Sequence, residues 1–111
     1  MKKIVMTFGT FDGFHPGHVY YLSEARKLGE YLITIVARDA NVVKIKGKIP
    51  RNNENQRLQG VQESGIADEV FLGSIEEPYK IISEKKPDIL CFGYDQHSFN
   101  GEELDEFLDM H

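Results

Sequence analysis

The stretch Ile4–Leu22, IVMTFGTFDGFHPGHVYYL, constrains the fold more than any other part of the chain. An apolar run ends at Gly9, a short polar turn follows, and a helical pattern restarts behind His15-Pro16-Gly17-His18. Strand, phosphate-sized turn and helix, in that order, form the arrangement that nucleotide-binding α/β sites use. Pro16 suits the first turn of a helix, where its missing N–H costs nothing. Val19, Leu22, Ala25, Arg26 and Leu28 then carry the 3.6-residue period, and Gly29 reads as the helix stop.

The rest of the chain repeats this alternation. Leu32–Ala37 is a second apolar strand, and Arg38–Pro50 reads as a lysine-rich loop. Asn52 or Asn53 caps a helix that turns Leu58 and Val61 inward and ends near Gly65. Glu69–Leu72 is a third strand, Pro78–Lys86 a helix stopped by Pro87, Asp88–Phe92 a fourth strand and Glu102–Met110 a last helix. Apolar strands joined by helices predict an α/β, Rossmann-like parallel sheet with helices on both faces, in a single domain of residues 1–111. Ligands of such sheets bind beyond the carboxyl ends of the strands. Gly9–Asp12, Arg38-Asp39 and Gly93–Gln96 all fall just past strand ends, so three polar segments converge on one rim.

Composition narrows the functional classes. A net charge of −5 argues against broad binding to a nucleic-acid backbone. No apolar run approaches the length of a membrane span, and MKK followed by a short strand is not the pattern of a secretion leader. The single cysteine excludes an internal disulfide and fits a reducing, cytoplasmic setting. A polyphosphate ligand would therefore be held by backbone amides and a local cluster of cations.

His15 and His18 lie three apart at a helix start, so both rings fall on one face of the first turn. That end of a helix presents unpaired N–H groups and the positive end of the dipole. Two imidazoles beside free amides suit a phosphate that gains charge in a transition state, and Gly17 lets an oxyanion approach the backbone closely. The alternatives are two histidines that merely begin a helix, or a zinc site. Zinc is the weaker, because Cys91 lies inside an apolar strand and no further ligand is near in sequence. Cys91, Met6 and the stripe Val19, Leu22, Leu28 read as core.

Gly9-Thr10-Phe11-Asp12 followed by His15-Pro16-Gly17-His18 resembles the signature of the cytidylyltransferase-like nucleotidyltransferases. Ala37-Arg38-Asp39, Asn55-Gln56-Arg57-Leu58, Asp68-Glu69-Val70 and Gly93-Tyr94-Asp95-Gln96 follow in the family's order. The combination VARD, ENQRL, LGS and GYDQ is most similar to archaeal-type FAD synthases, which adenylate FMN; bacterial glycerol-3-phosphate cytidylyltransferases are the next resemblance. The resemblance implies that an acceptor phosphate attacks the α-phosphorus of a nucleoside triphosphate, ATP before CTP, and that pyrophosphate leaves with Mg²⁺. No covalent intermediate is implied, so catalysis would rest on positioning and charge stabilisation.

Carried over residue by residue, His15 and His18 are the catalytic pair. Thr10, Phe11, Pro16 and Gly17 complete the nucleotide-binding turn, and Asp95 holds the ribose or base. Lys44 and Lys46 are implied on the acceptor phosphate or triphosphate, while Lys48 reads as solvated. Arg57 is either a cation facing the phosphates or a surface helix charge. Asp12 either caps backbone or assists the metal, and Asp39 has the same two readings; His97 reads as a surface histidine. The partners implied are ATP or CTP and a small phosphate-bearing acceptor, with a homodimer as a further family trait.

Two departures stand out. The glycerol-phosphate enzymes carry an arginine shortly before the DEV segment, whereas this chain has Ser64-Gly65-Ile66-Ala67, which favours adenylyl transfer. The family also continues into another strand and a Ser/Thr-rich turn, so the resemblance leads us to expect a chain short of that segment. A nucleotide-binding module with little turnover is the alternative that this departure raises.

Overall fold

The computed structural model describes residues 2–73, 80–92 and 98–99. It has a sheet of order β3-β2-β1-β4-β5, built from β1 (Ile4–Gly9), β2 (Tyr31–Val36), β3 (Glu69–Leu72), β4 (Ile89–Phe92) and β5 (Ser98–Phe99). The first four strands are parallel, with Val5 opposite Leu32 on one side and Ile89 on the other. The short β5, which the sequence pattern did not suggest, runs antiparallel to β4. The chain moves outward from β1 to β2 to β3 and then returns to the other side of β1 for β4. The strand order therefore reverses beside β1, and the crevice at its carboxyl end is where a ligand belongs in such a sheet.

Two apolar layers cover the sheet, as period-2 strands buried on both sides require. Val5, Leu32, Val36 and Cys91 pack with Tyr21, Leu22 and Ala25 of α1 (Pro16–Arg26) and Val61 of α3 (Glu54–Ser64). Met6, Ile33, Ile35 and Leu90 face the other way, against Ile82 of α4 (Lys80–Lys85). Met6 and Cys91 are thus core, as the sequence suggested.

Four local expectations change. The region Arg38–Pro50 is not all loop: Asp39–Lys46 forms helix α2, closed by Gly47 in the left-handed conformation at φ 71°. Neither inner strand is wholly apolar, because the buried hydroxyls of Thr7 and Thr34 satisfy each other at 2.8 Å. The inward face of α1 is His18, Tyr21, Leu22 and Ala25, whereas Val19 and Leu28 are 41% and 42% exposed. Gly29 does not end α1 by a left-handed turn. A Cβ there would sit 2.6 Å from the Lys3 carbonyl oxygen, so its role is close packing against the strand. The helix expected from Pro78 is described only from Lys80, and the one expected over Glu102–Met110 lies outside the described residues. Among the described residues no helix is long and apolar enough to cross a membrane.

Candidate active site

The turn after β1 is held by packing and by hydrogen bonds to three other segments. Phe11 adopts φ 55° although it is not glycine, a strained conformation that persists only where surroundings impose it. Its ring is buried among Phe14, His18 and Tyr21, and fills the space where a Cβ on Gly9 would stand, 2.8 Å away. The turn thus combines a glycine that yields to the Phe11 ring with a phenylalanine whose backbone bends to place it. Asp12 accepts the backbone N–H groups of Arg51 and Asn52 at 2.7 and 2.8 Å, and the Asn52 amide at 3.0 Å. Burial opposes the charge of Asp12, but those donors and Arg57 outweigh it and hold the carboxyl below its ordinary value. Of the two sequence readings, Asp12 takes the backbone-capping one.

His15 and His18 cap the start of α1 reciprocally. The Gly17 N–H donates to His15 Nδ1 at 3.0 Å, and the His15 N–H donates to His18 Nδ1 at 3.2 Å. A ring nitrogen that accepts carries no proton, so each neutral imidazole keeps its proton on Nε2. The backbone fixes both tautomers before any ligand arrives. The rings stack with centroids 3.8 Å apart. His18 is buried and His15 exposed. Burial first, and the neighbouring His15 second, lower the pKa of His18 from its ordinary 6.5. The pair therefore stands at the positive end of a helix, with His18 biased toward its neutral form.

Arg57 ties the surrounding segments together. Its side chain is fully buried, and its guanidinium donates to the carbonyls of Asn52, Thr10 and Ala37 at 2.9, 2.9 and 2.8 Å. It also pairs with the Asp39 carboxylate at 2.6 Å. One side chain thereby joins the β1 turn, the exit of β2 and the starts of α2 and α3. Neither sequence reading of Arg57 anticipated this: it is not a surface charge, and the contacts it makes are internal. Asp39 is likewise committed to Arg57.

A cavity of about 550 Å³ opens at the carboxyl end of β1. Thr10, Phe11, Asp12 and His18 line it, together with Val42, Lys46, Lys48, Ile49 and Pro50. Lys46 reaches across to donate to the Thr10 hydroxyl at 3.1 Å.

Residues 6–111 match the family described as cytidylyltransferase-like. The chain belongs to this family. It is 52% identical over 108 residues to an FAD synthase of Ferroglobus placidus, covering 97% of this chain and 68% of that protein. An FAD synthase of Methanosarcina barkeri is 48% identical over 108 residues, covering 97% and 75%. Among solved structures, the lipopolysaccharide core biosynthesis protein from Thermoplasma volcanium superposes with a TM-score of 0.83 at 40% identity, covering 99% of this chain and 88% of that one.

Within this cytidylyltransferase-like fold, the cavity gathers Thr10, Phe11, His18 and Lys46 of the residues singled out from sequence. His15, Pro16 and Gly17 stand at the adjoining helix start. Lys44 is exposed and lies outside the cavity lining. In a helix, residues two apart diverge by about 200°, so Lys44 and Lys46 do not share a face. Lys48, read from sequence as solvated, does line the cavity. Asp95 and His97 lie outside the described residues. Sequence reasoning also passed over Tyr21, whose hydroxyl lies 3.1 Å from the Phe8 carbonyl and 2.7 Å from that of Cys91. That bond joins the exits of β1 and β4, and Tyr21's place three residues after His18 was the available signal.

Proposed function

We propose that this nucleotidyltransferase is an FMN adenylyltransferase. A phosphate oxygen of FMN attacks the α-phosphorus of ATP, a new P–O–P linkage forms, the α–β bond breaks, and pyrophosphate departs. The chain's part is to position two anions and to steady the charge that builds between them. His15 and His18 supply Nε2–H donors to the triphosphate at the start of α1, aided by the helix dipole. Thr10 and the Phe11 backbone bind the nucleotide, and Lys46, beside the Thr10 hydroxyl, serves a phosphate of either substrate. Mg²⁺ belongs to the substrate in this reading and comes with the triphosphate, since the nearby Asp12 and Asp39 carboxylates are engaged by backbone amides and Arg57. The setting is the cytoplasm, where ATP and FMN are available.

The observation that carries the reading is the reciprocal capping of the two histidines at the start of α1, which supports a neutral-ring proton on Nε2 in both. The choice of adenylyl over cytidylyl transfer is supported by the FAD synthase relatives and by residues 64–67. There Gly65 closes α3 at φ 70° and no cation is present. The test gives the protein ATP or CTP with Mg²⁺, and FMN, glycerol 3-phosphate or phosphocholine, and follows pyrophosphate. Release is expected with ATP and FMN. Release only with CTP, or from no pair while nucleotide still binds, overturns it.

A further inference from the structure

Helix α2 carries Lys46 to the Thr10 hydroxyl, yet little within α2 itself explains why it stands there. Eight residues are too few for a helix to persist alone in water, and this one includes two valines and an isoleucine. Among its described side chains only Val42 is buried. Its N-cap residue, Arg38, makes no side-chain hydrogen bond to the helix amides. The first N–H groups of a helix ordinarily find such a partner. Here one of them finds it on another helix.

Glu54, the first residue of α3, supplies that partner. Its Oε1 accepts the Asp39 N–H at 3.0 Å, and its Oε2 accepts the Arg38 guanidinium at 3.1 Å. Arg38 in turn donates to the Gly73 carbonyl, just past β3, at 2.7 Å. The carboxylate stands at the starts of α2 and α3 at once, where both helix dipoles favour it. Arg57, also from α3, holds the Asp39 side chain at 2.6 Å. Helix α2 is thus anchored at its start by α3, and its last turn, about 10 Å further along, is carried with it. We infer, on the reading of Lys46 as a phosphate-binding cation, that Glu54 is a positioning residue: by capping α2 from α3 it holds Lys46 beside Thr10 at the cavity. The reach of Glu54 to the Asp39 amide, more than its charge, sets that placement.

Conservative variants separate reach from charge. Glu54→Asp keeps the carboxylate but withdraws it by one methylene, whereas Glu54→Gln keeps the length and an oxygen that can accept the Asp39 N–H. Formation of FAD from ATP and FMN is followed for each, with and without Lys46→Met. Glu54→Asp is expected to lower kcat/KM about tenfold where Lys46 is present, the scale of a misplaced group, and to cause no further loss in the Lys46→Met background. Glu54→Gln is expected to stay within about threefold of the wild type. Equal losses from Glu54→Asp in both backgrounds would make Glu54 merely structural and overturn the inference. So would a Gln variant weaker than the Asp variant, or no loss from either. Amide hydrogen exchange reads the cap without any reaction: Glu54→Asp should speed exchange over Asp39–Lys46 and leave Pro16–Arg26 unchanged. Unchanged protection of α2 overturns the inference whatever the activity. A wild type that forms no FAD, with α2 loosened in Glu54→Asp, overturns the functional reading while supporting the cap.

Discussion

At the residue scale, the histidines are unusual helix caps. Ser, Thr, Asp and Asn are the common choices, since a short oxygen-bearing side chain satisfies the first amides. Here the Nδ1 atoms of two imidazoles do so. Burial has an acid-side consequence at His18. Its folded pKa lies below the ordinary 6.5, so below that pH the unfolded chain binds more protons than the folded one. The stability tied to neutral His18 is fully present above about pH 6.5 and is lost as pH falls through the lowered folded value. The unfolding midpoint is expected to drop as pH falls below about 6.5 in the wild type, and to drop less in His18→Gln. An equal drop in both would place the acid lability elsewhere. Arg57 gives a second expectation. Arg57→Met should cost about 3–5 kcal/mol of stability, because it removes the donor of three carbonyls packed around a buried side chain and the partner of the half-exposed Asp39 carboxylate. Intact stability with weakened ATP binding would instead make Arg57 a phosphate ligand.

At the element scale, what the sequence made legible follows from how local each signal is. The four parallel strands were readable because each is a short apolar run bounded by glycine, proline or charge. Helix α3 was readable because Asn53 caps it and Gly65 ends it. Helix α2 was hidden: its eight residues DANVVKIK include two adjacent valines and an isoleucine, and its lysines resemble a solvated loop. The Lys46-Gly47 step was the surviving clue, since Gly47 is its left-handed cap. The face of α1 was misread because His18 and Tyr21, polar by type, turn inward to bond the turn and the strand exits, leaving Val19 outside. Gly29 was identified correctly as significant and for the wrong reason. Its constraint is the Lys3 carbonyl, so Gly29→Ala should lower stability by about 1–3 kcal/mol, the usual cost of overpacking. Chemical denaturation measures this, and an unchanged or raised midpoint would contradict the steric account.

At the scale of the whole molecule, the site exists because the strand order reverses beside β1. That reversal opens one crevice, and β1, α1, α2, α3 and the exit of β2 all send residues to it or brace it. Arg26 and Asp68 hold the opposite end of this frame: they pair with each other, and Asp68 also accepts the Leu32 N–H at 2.8 Å. The hydrogen bond from Arg26, the Leu32 amide and the Arg26 charge together outweigh burial and keep Asp68 below its ordinary pKa. The glycine-ended strand and HPGH pointed in the sequence to the rim where the cavity opens. The contribution of Val42, Ile49 and Pro50 to its lining was not legible, because α2 was hidden. Formation of FAD from ATP and FMN, followed side by side for the wild type, His15→Ala and His18→Ala, tests the central claim most directly. The wild type is expected to form FAD, and each variant to lose about a hundredfold in rate, the scale of one charge-stabilising donor. No FAD from the wild type, or near-normal rates in both variants, would contradict the account.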